Sequence, residues 1–253
     1  KLIQVIQAAA IITLLLNVIS LWKQEPRGQV EKKSSREPSF LDSWRTFAQG
    51  GNAKRRLVAV GFGTMAFSMN EVLLEPYGGQ ILSMTVSDTT MLTAILALGG
   101  LIGFSWASRV LGKGTDPFYM ATIGALVGIP AFALIMLSAP LAMTALFLLG
   151  TFLIGFGGGL FSHGTLTATM QLAPSNQRGL ALGAWGAVQA TAAGIAIGLG
   201  GVIRDIVVAI GATNWLPEGV VGPATGYSFV YFLEIGLLIA TIFSMTTLLP
   251  KKK

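Results

Sequence analysis

Seven apolar runs, each long enough to cross a bilayer as a helix, divide this chain of 253 residues. They extend from Leu2 to Leu21, Leu57 to Leu74, Thr89 to Ala107, Phe118 to Leu137, Leu141 to Leu172, Gly179 to Ile210 and Tyr227 to Leu249. A spanning helix needs about 20 predominantly apolar residues. In hydrocarbon only helices and closed barrels satisfy every backbone N–H and C=O. Charged residues make up 11% of the chain and the mean hydropathy is +0.69, whereas soluble domains carry about a quarter charged residues. We therefore expect an all-α, polytopic membrane protein. The fifth and sixth runs exceed the hydrocarbon thickness, so they are expected to tilt, kink or project into water.

The basic residues orient these runs. If the loop from Trp22 to Arg56 is cytoplasmic, it supplies Lys23, Arg27, Lys32, Lys33, Arg36, Arg45, Lys54, Arg55 and Arg56. The same side then receives Arg109, Lys113, Arg178 and Lys251 to Lys253. Fifteen of the 17 basic residues lie there, leaving Lys1 and Arg204 on the other side, as the positive-inside rule expects. Lys253 is then cytoplasmic. The net charge of +6 marks a face toward anionic lipid rather than a nucleic-acid surface. With no cysteine, disulfides and thiolate metal sites are excluded. The first run lacks the basic n-region and small-residue cleavage site of a signal peptide. The chain opens without methionine at the edge of a span, so we expect the C-terminal part of a longer protein.

The expected domains are a transmembrane helix over 1–22, a basic linker over 23–56, a six-helix bundle over 57–250 and a basic tail over 251–253. Within the linker, Phe40, Trp44 and Phe47 fall at i, i+4 and i+7, one face of a short amphipathic helix on the membrane surface. Between the third and fourth runs, Gly112 and Gly114 permit a tight turn, and Arg109, Lys113 and Asp116 are placed to clamp helix ends.

Polar residues inside the runs are the candidates for function, because hydrocarbon tolerates them only with partners. His163 is the one histidine. It bonds a carbonyl, Thr165 or Thr167; or it is an axial ligand to the magnesium of a bacteriochlorophyll; or it couples protons. Gly155, Gly159 and His163 share one helix face, and Gly194 and Gly198 repeat the spacing. Such glycines pack the fifth and sixth spans closely, or open a slot for a planar macrocycle or an isoprenoid tail. Trp185 and Gln189, one turn apart, line a cavity or pack. Glu71, Glu75, Arg204, Asp205 and Glu234 form the candidate intramembrane charge network. Glu71 and Glu75 are expected on one face, and Arg204 is expected to pair with a carboxylate. Substrate or proton coupling is the functional alternative.

Three stretches carry a family resemblance: Asn70-Glu-Val-Leu-Leu-Glu-Pro-Tyr-Gly-Gly79, Ile154-Gly-Phe-Gly-Gly-Gly-Leu-Phe-Ser-His-Gly-Thr-Leu-Thr-Ala168, and Gly179-Leu-Ala-Leu-Gly-Ala-Trp-Gly-Ala-Val-Gln-Ala-Thr-Ala-Ala-Gly194. They resemble the PucC/LhaA assembly proteins of phototrophic bacteria, the bacteriochlorophyll-delivery branch of the major facilitator superfamily. The third-to-fourth connection likewise resembles a degraded form of that superfamily's glycine-and-basic loop. The resemblance implies the C-terminal six-helix half of a twelve-span facilitator fold, preceded by the last helix of the N-terminal half.

It also implies a non-enzymatic assembly factor in the photosynthetic, intracytoplasmic inner membrane. Its partners would be light-harvesting antenna polypeptides, a reaction-centre complex and membrane lipids; its cargo would be bacteriochlorophyll, held near His163, Gly155, Gly159, Trp185 and Gln189. The alternatives are a proton-coupled small-solute transporter using Glu71 and Arg204, and a permanent structural subunit of a photosynthetic complex. Scattered carboxylates and a lone histidine show no acid–base or nucleophile–base constellation. The cysteine-free background allows a direct topology test. A cysteine at Lys113 should react with impermeant maleimide only from the cytoplasmic side, and one at Asp205 only from the opposite side.

Overall fold

The computed structural model describes residues 2–21, 53–174, 177–211 and 222–248. The expected amphipathic helix at Phe40, Trp44 and Phe47 and the tail 251–253 lie outside the described residues. The chain divides into two compact units, Lys1–Pro38 and Ser39–Lys253. In the first, α1 spans Leu2–Leu21, the bounds of the first apolar run.

The second unit contains α2 (Ala53–Ser68), a 3-10 turn (Met69–Val72), α3 (Leu74–Ile81), α4 (Val86–Leu111), α5 (Pro117–Ser138), α6 (Thr144–Leu172), α7 (Arg178–Gly211) and α8 (Thr225–Thr246). All regular elements among the described residues are helical. Five helices are long and apolar enough to cross a membrane, and α2 with α3 makes a sixth if that bent pair is one span. This is a multi-pass membrane protein. Leu101, Phe232 and Phe243 project from the bundle surface, which hydrocarbon tolerates.

Two departures from the sequence expectation have local causes. α2 begins at Ala53, so Lys54, Arg55 and Arg56, expected in the linker, occupy its first turn. Their long aliphatic stems can lie along the helix while the charged heads reach water. The second run is also not one straight helix. It passes into the 3-10 turn, and α3 departs at 41°. Pro76 explains the position of the break, since it has no N–H to give the Val72 carbonyl and its ring clashes with a continuous helix there.

The other helix starts follow capping rules. Asp88 N–H donates to Thr85 Oγ1 at 3.3 Å and Thr85 N–H to Asp88 Oδ2 at 3.0 Å, a reciprocal box that starts α4. Asp116 accepts from the Phe118 N–H at 2.7 Å and the Tyr119 N–H at 3.2 Å, with Pro117 at the first helical position of α5. Gly114, at φ +89°, supplies the left-handed residue of the intervening turn. α6 and α7 run unbroken for 29 and 34 residues, about 44 and 51 Å at 1.5 Å per residue. Both exceed a hydrocarbon core.

α6 is the central helix, packed along α4 on one side and α5 on another. A Cβ on Gly155 would collide with the Leu96 carbonyl, and one on Gly159 would lie 2.6 Å from the Gly100 carbonyl oxygen. Gly99 and Gly103 of α4 meet the Phe152 and Phe156 carbonyls in return. The expected glycine seam is therefore real, but its partner is α4, the third run, and not α7. Backbones meet there, so Gly155 and Gly159 open no slot for a macrocycle. Gly194 and Gly198 of α7 have no atom within 4 Å of a built Cβ.

The remaining core is aromatic. Tyr77, Phe132, Phe147, Tyr227 and Tyr231 are fully buried, with Tyr77 stacked on Phe147 at 5.2 Å and edge-on to Tyr227 at 5.4 Å. Gly155→Leu should lower stability by at least the about 1–3 kcal/mol of ordinary overpacking. Gly198→Ala, whose Cβ meets open space, should be neutral or raise stability by up to about 1 kcal/mol. Thermal unfolding of the detergent-solubilised protein measures both.

Candidate functional site

With its α4 and α5 faces occupied, α6 presents a third face, Gly158 and Ser162, to a cleft of 450 Å³. α2 and the 3-10 turn contribute Thr64, Phe67, Ser68 and Glu71, at the spacing of one helix face. α7 contributes Gly186, Gln189, Ala190 and Ala193, again one face. Phe161 completes the floor, its ring 5.8 Å from that of Phe67. Gly63 makes room for it, because any Cβ there would strike the Phe161 ring. The cleft is thus mainly apolar, with an aromatic base and polar groups from each of its walls. The Thr64 hydroxyl at its edge is buried and has no hydrogen-bond partner.

The sequence candidates divide around this cleft. Gln189 and Glu71 line it. Trp185 anchors one wall, its Nε1 donating to Thr165 Oγ1 at 3.2 Å and tying α7 to α6. His163 points elsewhere. Its ring meets Phe104 of α4 edge-on at 4.2 Å, and its Nδ1 is buried without a partner. The expected bond from His163 to Thr165 or Thr167 is not formed: Thr165 Oγ1 donates to the Ser162 carbonyl at 3.1 Å.

The five ionisable residues do not form one network. Arg204 pairs with Asp205 at 2.7 Å, the ion pair present among the described residues. Its other contacts are neutral: Nη2 donates at 3.0 Å to both Gln80 Oε1 and the Tyr227 hydroxyl. The guanidinium also lies 4.7 Å from the centre of the Tyr227 ring. Tyr227 in turn donates to Gln80 at 2.7 Å, so these contacts fasten α3 to α7 and α8. Glu75 accepts from Thr93 of α4 at 3.3 Å, while Glu71 faces the cleft. The expected shared face of Glu71 and Glu75 is lost because the helix breaks between them. Glu234 is buried and accepts from Asn70 Nδ2 at 3.1 Å.

At the α4–α5 turn the three loop residues have separate roles. Asp116 is the cap described above. Arg109 lines a 360 Å³ surface groove with Leu101, Ile102, Ser105 and Trp106, and Lys113 is exposed.

The model of the family described as PUCC protein matches residues 1–253. The chain belongs to the PucC family. It is 52% identical over 250 residues to Protein PucC of Cereibacter sphaeroides, covering 98% of this chain and 53% of that protein. It is 57% identical over 211 residues to Protein PucC of Rhodovulum sulfidophilum, covering 82% of this chain and 46% of that protein. A more distant relative, the Bacteriochlorophyll synthase 44.5 kDa chain of Rhodobacter capsulatus, is 27% identical over 257 residues, covering 94% of this chain and 55% of that protein. The chain spans about half the length of the curated relatives it matches.

In this PucC-family chain several working residues escaped sequence reading. Phe67, Ser68, Phe161 and Ser162 are ordinary residues within apolar runs, and only the way the helices meet brings them together. Asn70 carried a usable signal, being an amide in an apolar run. So did Tyr227 and Tyr231, which precede the candidate Glu234 at i, i+4 and i+7 of α8. Arg204→Leu should remove the bonds to Gln80 and Tyr227. Amide hydrogen exchange across Leu74–Ile81 should rise by about tenfold, with little change in α5.

Proposed function

We propose that this PucC-family chain acts as a non-enzymatic assembly factor for bacterial light-harvesting antenna complexes, docking antenna polypeptides and delivering or inserting bacteriochlorophyll. Family membership over the whole chain supports the photosynthetic setting, as does a distant relative named for bacteriochlorophyll synthesis. The observation that carries the reading is the cleft between α2, α6 and α7. Its floor offers the half-buried ring of Phe67, backed by the buried Phe161, to a planar ring, and Ser162 and Gln189 offer hydrogen bonds to polar ring substituents. Magnesium is a hard cation that favours oxygen donors. Glu71 and Gln189 supply such donors within the cleft.

A second ligand assignment rests on His163, whose buried, unpartnered Nδ1 leaves ligating capacity unused. Gly155 and Gly159 belong to the α4 seam and would hold the helices rather than the cargo. We also assign α2 to α8 to the C-terminal half of a twelve-span facilitator fold. α1 would be the last helix of the other half and residues 23–56 the linker, in an intracytoplasmic membrane with the C-terminus cytoplasmic. Relatives about twice as long support this. Proton-coupled solute transport draws on one observation, the exposed carboxyl of Glu71 in the same cleft.

Pigment content per protein, measured on full-length variants isolated from phototrophic membranes, tests the assignment. Gln189→Leu should weaken retention of bacteriochlorophyll about tenfold, or about 1.4 kcal/mol, within the cost of stranding a polar partner. His163→Leu should retain pigment. The reverse result moves the ligand to His163. Unpigmented wild type showing solute uptake that Glu71→Gln abolishes favours the transporter.

A further inference from the structure

The 3-10 turn carries a second polar site, separate from the cleft and enclosed in the bundle. Asn70 and Glu234 are each 0% exposed. Both hydrogens of Asn70 Nδ2 are used, one on the Phe67 carbonyl at 3.1 Å and one on Glu234 Oε1 at 3.1 Å. Asn70 Oδ1 and Glu234 Oε2 then remain buried without partners, as does the Tyr231 hydroxyl. Tyr231 lies one turn before Glu234 on α8. A carboxylate and an amide oxygen only accept, and a tyrosine hydroxyl has one hydrogen to give. The site is therefore short of a donor, in a place where each unmet polar group is costly.

Among the described residues it is also short of positive charge. Arg204 of α7 is engaged with Asp205, Gln80 and Tyr227. Tyr77 of α3 donates to the Ile135 carbonyl at 3.0 Å. Tyr227, on the same helix as Glu234, is held by Gln80. α5 contributes Phe132 and Ile135, which are apolar, and Ser138, which is bonded to Tyr77. Glu71 on the 3-10 turn faces the cleft, and the basic residues of α2 lie in its first turn.

We propose that Glu234, with Asn70 and Tyr231, forms a proton-binding site at the break of α2. One proton taken from solvent water onto Glu234 Oε2 supplies the missing donor and cancels an isolated charge that the bundle interior could hold only at great cost. An alkali cation is the other occupant that would cancel the charge. The site reaches the cleft through the chain itself. Asn70 bonds Glu234 and the next residue, Glu71, lines the cleft, both on one 3-10 turn of four residues. Release of the proton removes the Oε2–H donor and makes Oε1 a charged, stronger acceptor for Asn70, so the hold on the segment that carries Glu71 changes with protonation. Occupancy of the cleft and of the proton site are then reciprocally linked.

Infrared spectroscopy of the full-length protein in lipid tests the proposal without reference to any cargo. Wild type near neutral pH should show the carbonyl band of a buried protonated acid, moving to lower frequency in deuterium oxide. The band should vanish in Glu234→Gln, persist in Glu71→Gln and shift in Asn70→Ala. If Glu234→Gln fails to fold, Glu234→Asp keeps the acid one methylene shorter and should displace the band. Absence of the band in wild type, or its persistence in Glu234→Gln, overturns the proposal. So does a carboxylate band that moves when sodium replaces potassium, which would assign the site to an alkali cation.

Discussion

Backbone-to-backbone contact along α6 is the constraint from which the rest of the bundle follows. In lipid, apolar side chains gain little by leaving hydrocarbon, so helices hold together through close van der Waals contact and occasional polar bonds. Gly155 and Gly159 bring α6 against α4. On another side, a Cβ on Gly157 would lie 2.7 Å from the Gly124 carbonyl oxygen of α5. With two faces committed to neighbouring backbones, the face of Gly158 and Ser162 is left to shape a cleft with α2 and α7. The same economy leaves α7, with open positions at Gly179, Gly183, Gly194 and Gly198, less tightly held.

The break between α2 and α3, which Pro76 imposes, divides labour between adjacent residues. A continuous helix would have placed Glu71 and Glu75 on one face. The 3-10 turn instead sends Asn70 to α8, Glu71 to the cleft and Glu75, beyond the break, to Thr93 of α4. Tyr77, just past the bend, fills the aromatic core, and Gln80 accepts from both Arg204 and Tyr227. Four polar residues, Asn70, Glu71, Glu75 and Gln80, thus gather around the interrupted helix and reach three different surroundings.

Much of the fold was legible because hydropathy, Pro and Gly report local physics. The runs at Thr89 to Ala107, Phe118 to Leu137 and Tyr227 to Leu249 lie within a few residues of α4, α5 and α8. The bend was legible in principle from Pro76, but a hydropathy run is blind to a single missing N–H. The site was legible only in part. Glu71 and Gln189 stood out as polar residues in apolar sequence and do line the cleft. The Gly155, Gly159 and His163 face was correct as periodicity, yet periodicity cannot name the partner helix, and that partner is α4. Phe67 and Phe161 gave no signal, since an aromatic that lines a cleft and one that fills a core have the same sequence pattern.

An amphipathic cleft on one face of this PucC-family chain gives the proposed assembly role its physical basis, so the direct test is composition. The full-length protein should be isolated from its native membrane in mild detergent, its absorption spectrum recorded and its companion subunits identified. Stoichiometric bacteriochlorophyll, or antenna polypeptides in the same particle, is the expected result. A colourless protein without partners would contradict the assembly role.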